Sequence, residues 1–273
     1  MSELLEIINH PFIIRALLVG IPISLCAALL GVSLVLRRYS MIGDGLSHVG
    51  FGALAVAAAL NVSPLKITIP IVILTAFLLL KLTKNTKIKA DSAIALISTG
   101  SLAIGVMVIS LSSGINTDLN NYLFGSILAI NNEDVLLSLI LSIIVLILFI
   151  LFYNKIFSIT FDEDFAKATG INADFYNILI SVLTAITIVL GMRMMGSMLI
   201  SALIIFPALS SMRIFKSFKA VTISSSLLSV ICFISGIVIS YFYSTPTGAS
   251  IVFVNIIAFL IMSIPVIIKT ILK

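Results

Sequence analysis

The chain runs as a series of apolar stretches, each long enough to cross a lipid bilayer and each divided from the next by a short polar break. A helix needs about 20 mostly apolar residues to span the hydrocarbon core. Stretches of that kind lie at 12–36, 41–60, 64–82, 91–113, 134–153, 175–193, 196–212, 220–242 and 247–268. The expected fold is an all-α integral membrane protein, a bundle of about nine transmembrane helices forming one domain over residues 1–273. The count falls to eight if the short Gly/Ala-rich second stretch or the seventh is re-entrant. Composition agrees, with 60% hydrophobic and 10% charged residues, far from the balance of a water-soluble domain.

The net charge of +5 would suggest an acidic partner if the cations were scattered, but they are sorted. With spans crossing alternately, thirteen of the sixteen Lys and Arg fall on one side, among them Arg37, Arg38, Lys81, Lys155, Lys167, Arg213 and Lys219. Arg15, Lys66 and Arg193 fall on the other. Positive residues collect on the cytoplasmic side, so the N-terminus is expected outside and the C-terminus in the cytoplasm of a bacterial cytoplasmic membrane. Nucleic acid is not an expected partner. Cys26 and Cys232 lie inside apolar stretches and read as packing residues rather than a disulfide. The start, with Glu3 and Glu6, lacks the basic beginning of a cleaved leader.

Two loops stand out. The outer one, 114–133, carries acids and amides around the apolar Tyr122-Leu123-Phe124. The inner one contains Phe161 to Gly170, which reads as a short amphipathic helix with Phe161, Phe165 and Ala168 on one face and Gly170 ending it. Such a face either docks into a partner's groove or rests on the membrane surface.

Ionisable groups within membrane spans usually mark a path for an ion or substrate. Asp44 and His48 stand four apart, hence one helical turn apart on one face, within Gly43-Asp44-Gly45-Leu46-Ser47-His48. Gly43, Gly45, Gly50, Gly52 and a following run of alanines let other helices approach closely, which puts this segment at the bundle centre or a subunit interface. Carboxylate oxygen with imidazole nitrogen suits zinc, and also manganese or iron. The competing reading has Asp44 capping the helix and His48 bonding to a neighbouring helix. Two ligands do not complete a site, and His10 is the one other histidine. Asp91 reads as a helix-start residue, Met192, Met194, Met195 and Met198 as flexible packing, and Arg193 as a side chain snorkelling outward. No Gly-Lys dipeptide exists, so there is no phosphate-binding P-loop, and HExxH is absent too. The chain is expected to be no enzyme by itself. If it pumps, another chain supplies the motor.

Several segments together resemble the permease subunits of bacterial metal-uptake ABC transporters, the family serving zinc, manganese and iron. They are Arg37 to His48, Asp91 to Leu96, Asp118 to Gly125, Ala166 to Gly170, Ser201 to Ala208 and Thr245 to Ser250, spread in order over most of the chain. Gly45 and Gly50 to Gly52 depart from the commoner family pattern. The resemblance implies a homodimeric permease, cytoplasmic ATP-binding subunits and an extracytoplasmic metal-binding protein. It further implies that Asp44 and His48 touch the transported metal, that Phe161, Phe165, Ala168 and Gly170 belong to the segment coupling to the ATPase, and that no cofactor is held permanently. The outer loop is most similar to zinc-type members, which makes Zn2+ the first expectation and Mn2+ or Fe2+ the alternative. A stand-alone carrier driven by an ion gradient is the rival outside this family.

Overall fold

The computed structural model describes residues 11–85, 90–111, 125, 132–197 and 199–271, and is built from eleven helices among them. They are α1 (Pro11–Leu36), α2 (Ile42–Ala59), α3 (Pro64–Asn85), α4 (Ala90–Leu111), α5 (Asn132–Leu151), α6 (Tyr153–Phe161), α7 (Glu163–Ala168), α8 (Ala173–Met195), α9 (Ile200–Ile214), α10 (Phe218–Tyr243) and α11 (Thr247–Ile271). No strand occurs among the described residues. Among the described residues, eight helices are long and apolar enough to cross a membrane. The seventh apolar stretch, now α9, has 15 residues, or about 22 Å of helix, too short to cross a core about 30 Å thick unaided. The second stretch, α2, reaches full length. Most of the outer loop, and His10, lie outside the described residues.

Local chemistry sets the helix ends. Arg38, Asn61 and Gly170 adopt left-handed φ of 61°, 54° and 83° just past α1, α2 and α7. In each case the next amide turns back to a carbonyl in the last helical turn: Tyr39 to Leu34, Val62 to Ala57, Ile171 to Ala166. This closure satisfies carbonyls that the helix leaves open. Gly170 adopts it without strain, whereas a left-handed conformation costs a residue such as Arg38 about 1–2 kcal/mol. Pro64 opens α3, where a missing amide hydrogen costs nothing.

The chain surrounds a buried centre of α1, α2 and α8, with most of each apolar window enclosed, while α3, α4, α5 and α11 turn large apolar side chains outward. In a membrane those outer faces meet lipid rather than water. Close approach is built on glycine. A Cβ at Gly31 would collide with the carbonyl oxygen of Ile204, and one at Gly52 would stand 2.7 Å from that of Ser101. Small residues bring helices together where lipid supplies no hydrophobic drive.

The ends of α1 and α5, the short helices α6 and α7, and the starts of α8 and α10 gather at one end of the bundle. There Phe218 packs against the rings of Tyr153, Phe157 and Phe161. The opposite end is tied by Arg193 Nη2 donating to Asp134 Oδ2, both side chains mostly buried. Arg193 therefore does not snorkel. It crosses from α8 to the first turn of α5 and neutralises a carboxylate there.

Candidate metal pathway and coupling segment

Helix α2 is wedged between α4, α3 and α8, with its glycines set against neighbours: Gly45 faces Ile94, Gly50 faces the Met192 thioether, and Gly52 faces the Ser101 carbonyl. From Ile42 to Ala55 every residue is buried except Asp44 and His48. Two polar side chains one turn apart thus form the openings in an otherwise sealed helix. His48 Nε2 lies 3.7 Å from Asp44 Oδ1, and the side chains are 13% and 38% exposed respectively.

That separation is too long for a direct hydrogen bond and leaves both groups free to turn toward a third atom. Met41, not Asp44, occupies the helix-start position, and no side chain caps it. The capping role weighed for Asp44 is not taken up. The carboxylate instead sits in the first turn, where the positive end of the helix favours it. His48 Nδ1 is buried with no hydrogen-bond partner, so the alternative of a bond to a neighbouring helix is not realised at that atom. Buried polar atoms are rarely left unpaired. Nδ1 is the sealed side of the ring; Nε2 is the nitrogen that the ring presents beside Asp44.

Among the described residues no group of three or more His, Cys, Asp or Glu side chains comes together. One chain offers an O/N pair, not a closed cage. Asp91 stands exposed in the first turn of α4 and does not join it. Met192 and Met195 are buried in the core, as packing residues should be. Cys26 and Cys232 are free and buried, with Cys26 Sγ donating to the carbonyl of Ser142 at 3.4 Å.

The inner loop differs from the single amphipathic helix expected. Its backbone extends at Asp162 (φ −150°, ψ 99°), whose carboxylate accepts from the Phe165 amide and starts a new helix, α7. An aspartate side chain competes for nearby amides and favours this restart. The break separates Phe161 from Phe165 and Ala168, so the three do not share one continuous helical face. Phe161 packs beside Phe157 and Phe218, while both Phe161 and Phe165 remain largely exposed. Ala166, not Ala168, is the buried residue of α7.

What anchors α7 was not read from the sequence. Glu163 Oε2 accepts from Arg37 Nη2 at 3.0 Å and from Asn177 Nδ2 at 3.2 Å, and Arg37 Nη1 donates to Asn177 Oδ1 at 2.6 Å. Lys167 Nζ completes the set, 2.9 Å from Glu163 Oε1. The hydrogen bond and charge of Glu163 push the Lys167 ammonium above its ordinary range. Nothing local in the sequence ties Arg37 to residues more than a hundred positions away.

Known proteins share both the arrangement and the sequence. The "High-affinity zinc uptake system membrane protein ZnuB" of Haemophilus influenzae is 34% identical over 237 residues, covering 87% of this chain and 91% of the relative. The "Manganese import system permease protein ScaB" of Streptococcus gordonii is 31% identical over 250 residues, covering 92% and 90%. A solved structure, "PsaBC from Streptococcus pneumoniae in complex with Fab", superposes with a TM-score of 0.86 at 30% identity, covering 96% of this chain and 95% of that one. The model of the ABC 3 transport family matches residues 9–265, nearly the whole length of the bundle, and the chain belongs to that family.

Proposed function

We propose that this chain is the membrane permease of an ATP-driven importer of a divalent transition metal, with zinc as first substrate and Asp44 and His48 as transient ligands. The observation that carries the reading is the pair of openings on α2: a carboxylate and an imidazole, one turn apart, on a helix sealed everywhere else from Ile42 to Ala55. Oxygen and nitrogen donors of this kind take zinc or manganese. Relatives named for zinc and for manganese uptake match over most of the chain. The O/N pair is half of a four-ligand set, so a second copy facing the first across α2 supplies the other half. Beside it α4 leaves Ser92, Ala95, Thr99 and Gly100 exposed, small residues that permit the close approach such a dimer needs.

In this reading the Lys/Arg-rich end faces the cytoplasm of the bacterial cytoplasmic membrane. There the exposed Phe165, with Phe161, Ala168 and Gly170, docks on ATP-binding subunits. An extracytoplasmic binding protein delivers the ion at the other end. The ion passes to the ligand pair, and closure of the motors moves α7 and rocks the helices around α2.

The test is radioactive zinc uptake by cells carrying the whole transporter, the His48→Ala and Asp44→Ala variants at matched expression, and competition by manganese and iron. Uptake that falls in both variants and resists manganese supports the zinc reading. Uptake that survives both substitutions removes them from the pathway, and displacement by manganese transfers the substrate to the second reading, which rests on the manganese-named relative. Purified chain that transports without any ATPase would replace the ABC reading with a stand-alone carrier.

A further inference from the structure

The triangle of Arg37, Glu163 and Asn177 includes neither ligand candidate and neither exposed phenylalanine, yet it bonds the start of α7 to the turn at the end of α1 and to α8. Each pair of its members is hydrogen-bonded. Asn177 is 1% exposed, and the Arg37 and Glu163 side chains are 13% and 25% exposed. A charge pair sheltered this far holds its geometry better than a surface pair, because water and salt screen it less. The Arg37 guanidinium also sits 5.6 Å from the centre of the Tyr39 ring, over its face.

The connections on either side are stiff. Glu163 is the first residue of α7, and its other oxygen holds Lys167 one turn on, so a displaced α7 moves Glu163 with it. Arg37 is the residue that ends α1. From it the corner 37–42 is bonded at successive steps: Arg37 to Ser33, Arg38 to Val35, Tyr39 to Leu34 and Ile42 to Tyr39, with Gly45 bonded back to Met41. A corner so bonded transmits a displacement rather than absorbing it. Asp44 lies seven residues beyond Arg37, in the first turn of the helix that this corner starts. Beside the triangle a void of about 30 Å³ is lined by Arg37, Tyr39, Ile42, Asn177 and Ser181, among others. It has room for about one water molecule, too little for the guanidinium to leave its partners.

We propose that the Arg37–Glu163–Asn177 triangle is the positioning link between the two working ends of this permease: it ties α7 to the corner that starts α2, and so sets how much metal is moved per ATP hydrolysed. The proposal rests on the reading of α7 as the ATPase-docking segment and of α2 as the ion helix. None of the three residues need touch the ion or the ATPase. They act by making α7 and the α1–α2 corner move as one piece.

The experiment uses the full complex of permease, ATP-binding subunits and metal-loaded binding protein in proteoliposomes, with zinc uptake and phosphate release measured on one preparation. Glu163→Gln and Arg37→Gln are expected to lower zinc moved per ATP hydrolysed by about tenfold, a typical size for coupling between two sites. The exchange of both charges, Arg37→Glu with Glu163→Arg, is expected to restore much of the ratio. A purely structural role would lower uptake and hydrolysis together and leave their ratio unchanged; that result overturns the proposal, as does a charge exchange no better than the single variants. Phe165→Asp, read by co-purification of the ATP-binding subunits, separates the two levels. If the subunits still bind as before, the docking reading fails and the link fails with it. If Phe165→Asp releases them and the ratio in Glu163→Gln is unmoved, docking stands and the link alone is refuted.

Discussion

Replacement of Gly52 by alanine tests the packing that seals the ion helix. The added Cβ would lie 2.7 Å from the Ser101 carbonyl oxygen, against an ordinary contact that begins at 3.4 Å, so the two backbones must part by the difference, 0.7 Å. The obstacle is backbone, not the end of a flexible side chain, so it cannot rotate away. The facing position is equally tight: a Cβ at Gly105 would approach Gly52 Cα at 3.0 Å and the Phe51 ring at 2.8 Å. Parting two packed surfaces by 0.5–1 Å forfeits about a quarter to a half of their dispersion attraction, and overpacking of this kind costs about 1–3 kcal/mol. Alanine recovers up to about 1 kcal/mol through helix propensity, which leaves a net loss on the order of 1–2 kcal/mol. Cys26 and Cys232 are buried and free, so their labelling by a thiol-reactive dye during heating in detergent reports unfolding directly. Gly100→Ala, compared on chains separated as monomers, is the control, because within the chain a Cβ there meets nothing within 4 Å, and it should label at or above the wild-type midpoint. A Gly52→Ala protein as stable as the Gly100→Ala protein would refute the argument that backbone approach at α2 and α4 holds this helix.

Asp134→Asn should destabilise the chain in the same assay by up to about 3–5 kcal/mol, the cost of stranding one partner of a buried ion pair. The double variant Asp134→Asn with Arg193→Gln should be less destabilised than that single change, and equal losses would mean that the pair is not coupled. The raised Lys167 ammonium contributes its hold on Glu163 fully below the ordinary lysine pKa of 10.5 and loses it as pH rises through its higher folded value. Hydrogen exchange of α7 amides, corrected for its intrinsic pH dependence, should therefore show unchanged protection from neutral pH to about 9, and a loss within that window would contradict the assignment. In mixed dimers isolated through a different tag on each copy, His48→Ala in one copy alone should reduce zinc uptake far below half. Mixed dimers that keep half the activity would mean that each copy carries ions by itself.

Sequence pattern revealed the apolar helices well, because a membrane span needs length and apolarity and both are local. Helix α9 was drawn as a full stretch because residues 196–199 are apolar enough to extend it, but the backbone turns at Gly196, with φ 85°, and the helix starts only at Ile200. The central place of α2 was legible from its glycines and alanines, since small residues have no other use along a span. The phenylalanine face of the inner loop was misjudged because periodicity cannot detect a break made by one side chain, and Asp162 makes that break by capturing the Phe165 amide. Arg193 and Arg37 have partners that their place along the chain does not reveal, because Asp134 lies 59 positions from Arg193 and Glu163 lies 126 from Arg37. Asp44 and His48 were legible as a pair because helical spacing alone brings them together, but spacing could not foretell that they would be the gaps in a sealed helix.

Asp44's position in the first turn of α2 bears on how such a pair can release an ion. The positive end of a helix favours a carboxylate by about 0.3–1 kcal/mol, and the same end opposes a cation placed beside it. A lone Asp and His therefore form a weak trap, which suits passage better than storage. In the proposed dimer two carboxylates balance the charge of a divalent ion while two neutral imidazoles complete four donors, so affinity depends on how closely the two α2 helices face each other. That spacing is governed by what moves the start of α2. Under the proposed link, the corner at 37–42 carries a movement of α7 to the start of α2, so ligand geometry and the Arg37–Glu163 pair would act on one variable. In that proposed dimer, tight facing would hold the ion and a slight displacement of the corner would let it go, with the same four donors throughout.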